Sequence, residues 1–251
     1  MALFESKNPA FGENAFRKTV ANVSAETMSV KGTMNKTFIL LLLAVLGASF
    51  TWQKVAEAVN PSAIQVWMIG GMIVGLVFAM ITIFRPISAP WSAPLYAISE
   101  GVFLGGISAL LNLSYPGIVM NAIALTFGVM FAMLLIYRTG WIKIDNKFRT
   151  GLLMATGAIA LFYFAIIMLN MFHVSTPFMF DASPLGIGIN LLVVVVAAAN
   201  LLMDFDFIER GSQMGAPKVM EWYGAFGLMV TLVWLYIELL RLLSRFAGRR
   251  N

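Results

Sequence analysis

The sequence contains no cysteine and a single histidine, His173, among its 251 residues. Without cysteine there is no disulfide framework, no thiol nucleophile and no cysteine-ligated metal site. One histidine likewise excludes a zinc site built from several histidines. These two absences remove the disulfide-rich scaffolds and the commonest zinc sites from the possible assignments.

Charge is also scarce, because only 12% of the residues are Asp, Glu, Lys or Arg. An ordinary soluble domain has about a quarter. Hydrophobic residues make up 60% of the chain, and the mean hydropathy is +0.84. A water-soluble fold could not cover so much apolar surface, so the composition predicts a polytopic membrane protein. The basic pI of about 9.6 then reflects membrane topology rather than nucleic-acid binding.

Long apolar runs recur along the chain at the length of about 20 residues that a membrane-spanning helix needs. We predict an all-α membrane protein, a bundle of seven transmembrane helices in residues 37–245. Residues 1–36 are predicted to be a flexible, polar, cytoplasmic tail, and residues 246–251 a basic tail. The predicted spans are 37–55, 63–84, 91–113, 117–137, 150–172, 184–203 and 222–243. Glycines spaced four apart in the second and third spans indicate close helix packing, at Gly71, Gly75, Gly101 and Gly105.

The distribution of Lys and Arg predicts a cytoplasmic N-terminus in the cell (inner) membrane. Cytoplasmic segments tend to carry these residues, and with the N-terminus inside they hold 12 of the 17. The C-terminal arginines conflict with this rule, since seven spans place them outside. Those arginines are Arg241, Arg245, Arg249 and Arg250. Either the early segments decide the orientation, or the last segment does not fully cross the membrane; we favour the first explanation.

Ionisable residues inside predicted spans are candidates for function, because hydrocarbon makes them costly. Glu100 lies near the middle of the third span with no basic residue within a turn. It should be uncharged at pH 7 if it faces protein, although a purely structural hydrogen bond is an equal alternative. Asp204 and Asp206 close the sixth span, and their spacing points them to different helix faces. Asp206 can pair with Arg210, while Asp204 can face the bundle.

Two more ionisable residues lie near span ends. Glu238 is followed by Arg241 on the same helix face, which favours a simple ion pair near the membrane interface. Arg85 ends the second span, where it is either a topology anchor or the counter-ion of Asp204. The second role requires the second and sixth helices to be neighbours.

The last two spans carry the most distinctive motifs. The sixth closes on Met203-Asp204-Phe205-Asp206, a polar linker runs from Glu209 to Lys218, and the seventh ends in Ile237-Glu238-Leu239-Leu240-Arg241-Leu242-Leu243. With seven spans in a chain of this size, these features resemble the Bax inhibitor-1 family, the YccA-like transmembrane Bax-inhibitor-motif proteins. The stretch 221–227 looks like a bacterial branch of that family.

The resemblance implies a bundle whose seventh helix is central, wrapped by the other six, and a proton-sensitive cation (calcium) leak. In the best-understood bacterial relatives, an aspartate of the sixth helix and one of the seventh form a pH-sensing pair, onto which an arginine of the second helix latches. Asp204 matches the first aspartate and Arg85 is the candidate latch, so removing Asp204 would leave Arg85 unpaired and open or destabilise the cytoplasmic side. The second aspartate is replaced: an alignment on the Leu-Leu-Arg ending places Thr231 there, and one on the Leu-Tyr-Ile-acid pattern places Glu238. We prefer Thr231, which keeps the helix ending in register.

The resulting hypothesis is a membrane protein without enzymatic activity that acts as a slow, gated cation or calcium leak. The alternative is a non-conducting protein that binds and modulates membrane partners such as proteases. An intramembrane aspartyl hydrolase is disfavoured, because no aspartate lies within the seventh span. We expect no cofactor, with calcium only as a transported ion, the lipid bilayer as the surroundings, and no nucleic-acid partner. The sequence assigns no metal site and no oligomeric state.

The orientation gives a first testable prediction. Reporters fused at the N-terminus and after Asn251 should read cytoplasmic and non-cytoplasmic respectively, because seven spans place the two ends on opposite sides. Two cytoplasmic readings would exclude seven full crossings.

Overall fold

The computed structural model describes residues 26–57, 61–174 and 183–249, and in these ranges the chain is an all-helical bundle. Seven helices are long and apolar enough to cross a membrane, which confirms the predicted fold class. They are α1 (Val30–Glu57), α2 (Pro61–Phe84), α3 (Ala89–Ser114), α4 (Ile118–Thr139), α5 (Asn146–Met171), α6 (Pro184–Gln213) and α7 (Met220–Gly248), with a short 3-10 helix (Pro86–Ser88) between α2 and α3.

The helices extend beyond the apolar runs that predict them. The predicted boundary at residue 36 falls inside α1, which begins at Val30, and α7 continues past residue 245 to Gly248. At the start of α1, the Ser29 hydroxyl accepts the Gly32 N–H at 2.9 Å, in the manner of a helix N-cap. Hydrogen bonding, not apolarity, therefore sets this helix end. Residues 1–25 of the predicted tail lie outside the described residues.

The central helix is α7, as the resemblance implied, but the other six helices do not all pack on it. It contacts α1, α3, α4 and α6, whereas α2 packs mainly on α3 and less on α1. Leu228, Met229 and Leu235 on α7 are completely buried. This helix therefore joins α1 and α3 to α4 and α6, while α2 lies at the periphery.

The closest helix contact joins α1 to α3 through glycines. A methyl group added at Gly101 would lie 2.1 Å from the carbonyl oxygen of Ala44, and one at Gly105 would lie 2.3 Å from that of Ala48. From the other side, a methyl group at Gly47 would lie 2.3 Å from the Ile98 carbonyl oxygen. Small residues let helix backbones approach closely in lipid, so this pair forms a rigid scaffold beside α7.

Gly101→Ala should destabilise the protein by about 1–3 kcal/mol, because the added methyl group collides with backbone that cannot move aside. Gly128→Ala on α4 is the matched control, since the space around Gly128 is open and alanine favours a helix. Thermal unfolding in detergent, followed by tryptophan fluorescence, measures both. Equal melting temperatures for the two variants would contradict the close α1–α3 contact.

Candidate functional site

The interface between α6 and α7 contains the carboxyl group of Asp204, a half-buried residue. The side chain of Thr231 on α7 interacts with this carboxyl group, while the Asp204 Oδ2 atom is buried with no hydrogen-bond partner. The Thr231 hydroxyl also donates to the Gly227 carbonyl oxygen at 3.3 Å. The residue opposite Asp204 is thus Thr231 and not Glu238, and one oxygen of the carboxyl group lacks the partner that burial normally demands.

Asp206 lies on a different face of α6 and is held between two arginines. Its Oδ1 accepts from the Arg210 Nε at 3.0 Å, which confirms the predicted pair. Its Oδ2 accepts from Arg149 in the first turn of α5. The sequence does not indicate this second contact, because Arg149 and Asp206 lie 57 residues apart. Asp206 is therefore a fully engaged carboxylate, unlike Asp204.

Glu238 lies in a second polar cluster, nearer the C-terminal end of α7, and is only 1% exposed. Its ion pair with Arg241, at 3.3 Å, confirms the prediction from their spacing. Two further groups donate to its carboxylate at 2.8 Å, the Tyr163 hydroxyl on α5 and the Asn190 amide on α6. Arg241 also donates to the Tyr163 oxygen at 2.9 Å. The pair is therefore part of a buried network that ties three helices together, not a simple interfacial pair.

Arg245, one helical turn beyond Arg241, is also buried and donates to the backbone carbonyl of Gly186 near the start of α6. Two of the four C-terminal arginines, Arg241 and Arg245, thus bind groups inside the bundle. Arg249, by contrast, is exposed. The conflict between the C-terminal arginines and the predicted orientation is therefore smaller than the sequence suggests, because charges bound inside a bundle are not loop charges.

The predicted contact between Arg85 and Asp204 is not formed. The Arg85 side chain is exposed and makes no ion pair with any described residue. The physical reason is the position of α2, which packs mainly on α3 rather than beside α6. Arg85 is a cation at a helix end, as in the alternative interpretation of the sequence.

Glu100 faces α2 from the middle of α3. Its Oε2 atom lies 3.1 Å from the position that a Cβ on Gly75 would occupy, so the glycine makes room for the carboxyl group. Among the described residues it forms no ion pair, in keeping with the absence of a nearby cation in the sequence. It lies apart from the α6–α7 interface.

A buried acid that the sequence analysis missed begins α7. Glu221 is 2% exposed, pairs with Lys36 of α1 and accepts from the Ser29 N–H and hydroxyl, each at 2.9 Å. Lys36 also lies 5.5 Å from the centre of the Trp222 ring. Lys36 and Glu221 lie 185 residues apart, so no local spacing in the sequence predicts their pairing. It fastens the beginning of α1 to the beginning of α7.

The segment before α1 strengthens this connection. The Met28 N–H donates to the Ala216 carbonyl oxygen at 2.7 Å, and Glu26 pairs with Lys218 at 2.5 Å. The hydrogen bond to the Glu26 carboxylate raises the pKa of Lys218 above its ordinary value. Residues 26–29 therefore lie across the loop that joins α6 to α7, at the same end of the bundle as Asp204.

Across the described ranges, no three Asp, Glu or His side chains come together in a way that could hold a metal ion. A search of the curated proteins finds no match to this chain. The family model described as Bax inhibitor 1 like matches residues 8–248, a range that includes all seven helices. Because that match covers nearly the whole chain, the chain belongs to the Bax inhibitor 1-like family.

Proposed function

We propose that the protein is a slow, gated cation leak, with calcium as the carried ion, and that the charge of Asp204 controls its opening. The observation that carries the proposal is the Asp204 Oδ2 atom, buried at the interface of α6 and α7 without a hydrogen-bond partner. An ionisable group inside a membrane bundle is a candidate for function by default. Membership of the Bax inhibitor 1-like family supports the class of activity.

Thr231 allows the interface to accommodate both charge states of Asp204. A hydroxyl group is one donor and also an acceptor. It can donate to the ionised carboxylate, or it can keep its donation to the Gly227 carbonyl oxygen and accept from the protonated acid. The two states still differ in cost, because the unpaired Oδ2 atom disfavours charge far more than it disfavours a neutral acid. The protonated state therefore favours the closed packing of α6 on α7, and ionisation favours its opening to water and cations.

Ion-pair networks hold α6 on both sides of Asp204. Toward one end, Asp206 with its two arginines joins α6 to α5; toward the other, Glu238 with Arg241 and Asn190 joins α7 to α6. Removing one partner of a buried pair typically costs about 3–5 kcal/mol. These networks hold the closed state together, so opening is rare and the leak slow.

The correction to Arg85 changes the expected effect of neutralising Asp204. With no arginine latched onto it, Asp204→Asn leaves no charge unpaired and imitates the protonated state. In liposomes loaded with a calcium dye, wild-type flux should rise with pH, and Asp204→Asn should show low flux with its pH dependence lost. Asp145→Asn is the matched control, because Asp145 is exposed and asparagine keeps its helix-capping role.

Thr231→Asp tests the same site in the opposite direction. Two carboxyl groups that share a site hold a proton more strongly than one. The pH midpoint of the flux should therefore rise by about 1 unit or more. An unchanged midpoint in a folded, inserted Thr231→Asp protein would contradict the assignment of Thr231.

Two outcomes would overturn the proposal as a whole. Liposomes that contain folded wild-type protein but show no calcium flux at any pH would favour the non-conducting, partner-binding alternative. If the flux is unchanged by Asp204→Asn but loses its pH dependence in Glu238→Gln, then Glu238 and not Asp204 is the pH sensor.

A further inference from the structure

A cavity of about 800 Å³ opens at the same end of the bundle as the α6–α7 loop. The start of α1, the end of α4, the end of α6 and the loop between α4 and α5 form its walls. In the predicted orientation, this end meets the cytoplasmic leaflet of the membrane. The cavity is separate from the Asp204–Thr231 contact, since neither residue lines it.

One side of the cavity is apolar. Val30, Met34, Leu134, Phe205 and Ile208 line it, from three different helices. An apolar surface of this kind suits the hydrocarbon chain of a lipid.

The other side carries three carboxylates, and each already has partners within the protein. Asp145 accepts the Phe148 N–H at 2.7 Å, and Asp206 is shared by Arg149 and Arg210. Glu209 accepts from the Tyr137 hydroxyl at 2.5 Å and from the Gln213 amide at 3.2 Å. Only Asp206 is therefore paired with cations, whereas Asp145 and Glu209 are held by neutral donors and keep their charge. With Arg149, which pairs with Asp206, the four cations at the wall still exceed the three carboxylates by one.

Two cations of the wall have no anionic partner among the described residues. Arg138 and Lys143 are exposed and form no ion pair with any described residue. Arg210 meets Asp206 through Nε, so the rest of its guanidinium group is available. Between Arg138 and Lys143, Trp141 is 85% exposed, and exposed tryptophans of membrane proteins concentrate at the level of the lipid headgroups. The wall thus presents unpaired positive charge at headgroup depth, above an apolar surface.

We propose that this cavity binds one anionic phospholipid of the cytoplasmic leaflet, with its phosphate at Arg138, Lys143 and Arg210 and its acyl chain along the apolar side. Basic pockets between transmembrane helices on the cytoplasmic side suit such headgroups. The lipid would bridge the start of α1, the end of α4 and the end of α6. It would thereby stabilise the end of the bundle where α6 turns into α7.

Native mass spectrometry and thermal unfolding of the detergent-purified full chain test the proposal. The probes are phosphatidylglycerol, phosphatidylcholine, inorganic phosphate and glycerol phosphate. The test variant is the double substitution Arg138→Gln and Lys143→Gln. The control is the double substitution Lys31→Gln and Lys147→Gln, which removes the same charge from exposed residues that do not line the cavity.

Phosphatidylglycerol should bind and stabilise the wild type and the control, whereas phosphatidylcholine should not. The test variant should bind it roughly 10- to 30-fold more weakly, which corresponds to the loss of two cations near an anionic headgroup. Equal weakening in the test and control variants would show general attraction to a basic surface and overturn the proposal. Equal stabilisation by phosphate or glycerol phosphate would also overturn it, since a free anion would then suffice.

Discussion

A charge inside a hydrocarbon layer has to find its partner within the protein, because no water is available to solvate it. Every charged side chain of the central helix α7 has a partner within the protein. Its four charged side chains, Glu221, Glu238, Arg241 and Arg245, are engaged by groups of α1, α5, α6 or α7 itself. The arrangement of the bundle depends on these contacts, since each of them fixes another helix against α7. Asp204 departs from the rule with one unpaired buried oxygen, and for that reason we assign it the controlling role.

The partners of α7 also explain how the two ends of the bundle differ. At the end that holds the α6–α7 loop, Met28 and Ser29 before α1 and Lys36 within α1 contribute to the packing. At the opposite end, Tyr163 and Asn190 both donate hydrogen bonds to the Glu238 carboxylate. Glycine contacts hold α1 against α3 independently of any charge.

The seven spans were predictable from the sequence because apolar length alone defines a membrane-crossing helix. The ion pairs of Asp206 with Arg210 and of Glu238 with Arg241 were predictable for a similar reason, since partners three or four residues apart share a helix face. The contacts of Arg149, Tyr163 and Lys36 with distant acids were not predictable, because they depend on which helices are neighbours. The predicted pairing of Arg85 with Asp204 was wrong for the same reason, because it assumed that α2 and α6 are neighbours. Hydropathy also placed the start of α1 too late, since hydrogen bonds extend the helix into polar sequence.

Infrared difference spectroscopy of the protein in lipid, recorded over a pH titration, tests the central role of Asp204 most directly. A protonated carboxyl group absorbs at a frequency distinct from that of a carboxylate. Our account predicts that the wild type shows such a band, that its pH midpoint coincides with the midpoint of calcium flux, and that it is missing from Asp204→Asn but present in Glu238→Gln. A band that persists in Asp204→Asn, or that titrates at a pH where the flux does not change, would contradict the account.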